Sequence, residues 1–107
     1  MYAIITSKPG QYRASTEGGA TPVEAYEYLF YGKPKAIFQI IELNGDIRVR
    51  ITEEAPPYIT NSVPSKFLEK FDSLEDARES LQQLVGFGKL DARLRLCDAP
   101  EAKDVLT

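Results

Sequence analysis

The chain opens on a short apolar run, Tyr2-Ala3-Ile4-Ile5-Thr6, rich in β-branched residues and closed by Ser7-Lys8-Pro9-Gly10. That composition and stop predict a first strand. From Gln11 to Ala20 the sequence is polar and carries Gly18 and Gly19, so it reads as a loop. Thr21-Pro22-Val23-Glu24 then has the form of a helix start, with Thr as cap, Pro in first position and an acid three residues after the cap. Val23, Tyr26, Leu29 and Phe30 would share one helical face, with Gly32 as terminator. The same stretch supports a rival. Residues 26–31 are dense in β-formers, and Gly32-Lys33-Pro34-Lys35 can turn them into the following strand. The capping pattern is a positional signal, and it favours the helix.

Alternation is clearest in Ala36–Leu43 and Ile47–Thr52, which flank Asn44-Gly45-Asp46. Asn-Gly tolerates the positive φ of a tight turn, so the two segments are predicted to form a hairpin. In that register Ile41 faces Arg48 and Gln39 faces Arg50, and opposed residues share a face. One face holds Phe38, Ile40, Ile47, Val49 and Ile51 and reads as core. The other sets Ile37, Gln39, Ile41 and Leu43 among Arg48 and Arg50, a mixture neither apolar nor properly polar.

Residues 53–66, with Pro56, Pro57 and Pro64, read as an extended loop, and Phe67–Phe71 as one helical turn. A helix capped by Asp72 or Ser73 follows. Leu74, Ala77, Leu81, Leu84 and Val85 form its apolar stripe, and Gly86 or Gly88 ends it. Leu90, Ala92, Leu94 and Leu96 then alternate with Asp91, Arg93 and Arg95 as a last strand. The expected organisation is one α+β domain over residues 1–97 and a frayed tail over 98–107. The order β-α-β-β-α-β is that of the ferredoxin-like split βαβ sandwich, with helices on one face of an antiparallel sheet. If residues 26–31 are a strand, the expectation becomes a five-strand antiparallel sheet with one main helix.

Composition removes whole classes of chemistry. The 107 residues include no histidine, no tryptophan and one cysteine. Zinc, haem and iron–sulfur sites draw on His or several Cys, and nucleophile systems of the Ser-His or Cys-His type need His, so no cofactor or metal is expected. A net charge of −3 argues against a nucleic-acid partner. Cys97 alone cannot close an internal disulfide, and the opening apolar run is short and lacks a basic start. These features lead to the expectation of a cytoplasmic protein with no membrane association.

Two functional readings follow. Either the segment 53–66, with Tyr58, Ile59 and Val63, folds over the mixed face of Ile37, Gln39, Ile41, Leu43, Arg48 and Arg50, or that face is open and is a partner surface, which suggests a non-catalytic interaction or accessory module. It would dock on a protein partner or pair as a homodimer through that open sheet face. Arg48, Arg50, Arg93 and Arg95 would offer guanidinium contacts to an anion on the same face. The alternative starts from six tyrosines. They suggest a small cofactor-free enzyme or ligand-binding protein with a Tyr-lined pocket for an anionic small molecule. No catalytic set can be named from the residues.

Overall fold

Tyr31 and Gly32 both adopt positive φ, at 51° and 76°, and this two-residue turn joins two long antiparallel strands. The computed structural model describes residues 1–16, 18–86 and 92–97, and the expected tail at 98–107 lies outside them. Along the chain run β1 (Tyr2–Ser7), β2 (Tyr12–Thr16), β3 (Ala20–Phe30), β4 (Lys33–Leu43), β5 (Arg48–Glu53) and β6 (Thr60–Pro64). A single 3-10 turn (Ser65–Phe67), α1 (Leu74–Val85) and β7 (Ala92–Cys97) complete the described elements. The protein is α+β, with two antiparallel sheets and, among the described residues, one α-helix.

The expected helix over residues 22–31 is therefore a strand, and the ferredoxin-like order is not the one observed. The reason is non-local. β3 lies inside the first sheet, in the order β1-β4-β3-β7, and pairs with both β4 and β7. That ladder of hydrogen bonds and the β-forming Tyr26–Phe30 segment outweigh a capping pattern that a single helix would satisfy alone. Pro22, read as a helix start, sits where the register with β4 shifts, a place where a strand tolerates Pro.

The expected hairpin at Asn44-Gly45 does not form. β4 belongs to the first sheet, whereas β5 is the centre of a second sheet in the order β2-β5-β6. Residues 44–47 thus carry the chain from one layer to the other. Ser65 holds this crossing by reciprocal bonds: Ile47 N donates to Ser65 Oγ (3.0 Å), and Ser65 N donates to Ile47 O (2.8 Å). Gly19, with φ of 71°, donates no side chain into the space filled by Ile47, and its carbonyl accepts from Asn44 N. Both β2 and β6 arise from segments read as loops.

The first sheet is covered on both faces. Ile40, together with Phe38 and Ile4, packs against Ala77 and Leu81 of α1. On the opposite face Ala3, Ile5, Ile41 and Leu43 meet Ala14 and Val49 of the second sheet. A bond from Ala14 N to the buried Ser7 Oγ (2.9 Å) stitches the two sheets. Of the expected caps and stops the helix takes Ser73 and Gly86: Ser73 Oγ accepts from Asp76 N (3.1 Å), and Gly86 closes the last turn.

Candidate functional site

The layering decides the fate of the mixed face. Gln39, Ile41 and Leu43 are buried, at 2%, 0% and 9% exposure, because the second sheet lies over them. Ile37 on the same side of β4 is half-buried. Those four share a face, as expected, but it is an interior face and three of them are unavailable to a partner. Arg48 and Arg50 do not stand among them, since β5 is in the other sheet. The four arginines separate likewise: Arg48 and Arg50 on β5, Arg93 and Arg95 on β7 of the first sheet. Arg95 donates to Glu27 Oε2 at 2.6 Å, and Arg93 also has an interaction partner.

What the second sheet presents to the outside is built by strand alternation. Ala14 and Val49 are core residues with Ile51 packed beside them, so their neighbours in sequence point away from the first sheet. Register places Ser15 and Ser62 on either side of Arg50, and Arg13 and Thr60 on either side of Thr52. Arg48, opposite Pro64, extends the row along β5 and donates Nε to Ser62 Oγ at 2.7 Å. Arg48 and Arg50 are exposed, and Arg13 is half-buried. Among the described strand residues this outer face carries three arginines, four hydroxyls and no carboxylate. Arg13 and Arg50 each make a further interaction within the protein.

Of the carboxylates nearest the tyrosines, Glu24 and Glu27 are held by arginines. Glu24 on β3 receives two bonds from Arg78 of α1, at 2.7 and 2.8 Å, and a third from the Tyr26 hydroxyl at 3.1 Å. The Arg78 bond holds the Glu24 carboxyl below its ordinary range, the wrong direction for a general base at neutral pH. Burial and the bond to Glu24 push the Tyr26 phenol up. Tyr2 is also raised, chiefly by the charge of Glu42 opposite it in the sheet. The tyrosines do not converge on one pocket: Tyr12 lines the slot between the sheets, Tyr28 lies on the helix side, and Tyr31 and Tyr58 are exposed. Cys97 is half-buried at the end of β7, beside Ala25.

Among the described residues, two spaces are large enough to hold a small molecule. One, of about 380 Å³, lies between the sheets and is walled by Ile5, Ala14, Val49 and Ile51. The other, of about 480 Å³, is a cleft on the helix side of the first sheet, over Tyr28 and Phe38. Among the described residues no group of His, Cys, Asp and Glu is arranged to hold a metal ion. None of their helices is long and apolar enough to cross a membrane. The chain matches no protein-family model, and no curated protein or solved structure is significantly similar to it.

Proposed function

We propose that this chain is a non-catalytic interaction module that docks an acidic segment of a partner protein on the outer face of its second sheet. The observation that supports this is the absence of any carboxylate among the outward strand positions that carry Arg13, Arg48 and Arg50. It stands out in a protein whose net charge is −3. Residues two apart on a strand are separated by about 6.7 Å, and neighbouring strands by about 4.8 Å. An extended peptide with acidic side chains at alternate positions therefore repeats at the spacing of Arg48 and Arg50. Hydroxyls on both flanks supply further hydrogen-bond partners, and guanidinium groups can take a carboxylate with two parallel bonds. Arg13 and Arg50 would share their existing contacts with such a ligand.

A second copy presenting the same face would set arginine against arginine, which disfavours pairing through it. Single-stranded nucleic acid would look for stacking aromatics, and the outward positions hold none. The test is fluorescence anisotropy with a labelled peptide of alternating Glu and Ser at low ionic strength. Saturable binding should weaken at least about tenfold in the double variant Arg48→Glu, Arg50→Glu, and should fade with added salt. Absence of binding at low salt, or equal binding by the double variant, would remove the proposal.

A further inference from the structure

We infer that the cleft beside the C-terminal end of α1 is a binding site for a small aromatic anion, independent of the docking face. Its floor is an edge-to-face pair, Tyr28 and Phe38, with ring centroids 5.9 Å apart and planes at 80°. Ala36 closes the bottom and Leu84 of α1 forms one wall while remaining 54% exposed. The space, about 480 Å³, lies within the ~300–1,000 Å³ usual for small-molecule sites. An apolar ring of ligand would cover Leu84 and the aromatic floor, so burial supplies the attraction.

The charge comes from two lysines. Lys8 follows β1, and its backbone is pinned in a tight turn by bonds to Gln11 and Tyr12. Lys35 occupies the register shift between β3 and β4, where Tyr28 pairs with Ala36 but Leu29 pairs with Pro34. In a regular strand Lys35 and Ala36 would point to opposite faces. Both line this cleft, as a bulge that redirects one side chain allows. Among the described residues neither ammonium has an ion-pair partner, and no carboxylate lines the space. An apolar cleft rimmed by two uncompensated cations selects for a ligand with the complementary sign and a flat hydrophobic body.

The test compares two fluorescent probes, the anionic 1-anilinonaphthalene-8-sulfonate and the neutral N-phenyl-1-naphthylamine. The anionic probe should bind saturably to one site. Lys8→Met and Lys35→Met should each weaken it by about threefold to tenfold, as for a partly exposed charge pair, while the neutral probe keeps its affinity. Leu84→Gln should weaken both probes. Urea midpoints of the lysine variants report that folding is intact, since both side chains are exposed. Unchanged affinity of the anionic probe in the double lysine variant would overturn the inference, as would the lack of a saturable site. Either result leaves the docking proposal standing, because the acidic-peptide assay reads a different face.

Discussion

Ile41 offers a direct test of the three-layer arrangement, because the two ways of reading its surroundings demand opposite outcomes. On an open hairpin face Ile41 would be half-wet, and its truncation would change stability by less than about 1 kcal/mol. In the structure it is 0% exposed and packed among Ala3, Ile5, Leu43 and Val49. Ile41→Ala deletes three carbons, which at about 0.8 kcal/mol per buried methylene is roughly 2.4 kcal/mol of transfer free energy. A cavity term adds to this. Neighbouring Ala3, paired directly with Ile41, is too small to refill the space, and the sheet backbone on both sides resists collapse. The expected loss is therefore about 3–4 kcal/mol, inside the range known for such truncations. Urea unfolding followed by circular dichroism, with a slope of about 1.5 kcal/mol per molar, should show the midpoint falling by about 2 M. Ile37→Ala, on the same side of β4 but half-buried, should move it by less than half as much. Both measurements should be repeated at two protein concentrations about twentyfold apart, since an internal contact gives a midpoint that does not depend on concentration. A shift under about 0.3 M, or a midpoint that rises with concentration, would mean that Ile41 is not enclosed by its own chain.

Acid should act through Glu24. Its folded-state carboxyl is held below the ordinary value by Arg78, so the stabilisation is present above the unfolded carboxyl pKa and is lost as pH falls through the folded one. Glu24→Gln should then be less stable than the parent at neutral pH, with the difference in urea midpoint closing as pH drops from about 5 to about 3. A gap that persists in acid would contradict the ion pair. At the alkaline end the sign reverses: raised phenols at Tyr26 and Tyr2 favour the folded state until pH climbs past the unfolded value near 10. Gly19→Ala should destabilise by at least about 2 kcal/mol, since the residue has φ of +71° and a Cβ there would stand 2.6 Å from Ile47 Cγ2. Gly10→Ala, at φ of +83° with open space around it, should lose only about 1 kcal/mol, and equal thermal shifts for the two would refute the steric argument.

How much of this was legible in the sequence depends on the range of the signal. α1 was readable because every part of its signal is local: the Ser73 cap, the 74–85 stripe and Gly86 lie within one short stretch. β1, β4, β5 and β7 were readable for the same reason, since alternation and β-branching are properties of a few consecutive residues. β2 and β6 were hidden, because Arg13, Ser15, Asn61 and Ser62 make their segments too polar to announce a strand. β3 was contested between a local capping pattern and β-formers, and pairing on both sides settled it.

The candidate sites followed the same division. The charges and aromatics were visible as a list, but their grouping was not. One clue to the layering did exist: β4 is apolar at both parities, with Ile37, Ile41 and Leu43 on one side and Phe38 and Ile40 on the other. A strand of that kind belongs in the middle of a sandwich rather than on an open face. What the sequence determined by itself was the α+β class, the helix with its cap narrowed to Asp72 or Ser73 and its stop to Gly86 or Gly88, and the lack of histidine in the chain. Tertiary structure alone decided that residues 44–47 cross between sheets, that Ile41 is interior, and that Arg13, Arg48 and Arg50 share an outer face. Alternation fixes only which residues lie on the same side of a strand. Which layer lies against that side depends on contacts between residues far apart in the chain, and no local pattern carries that information.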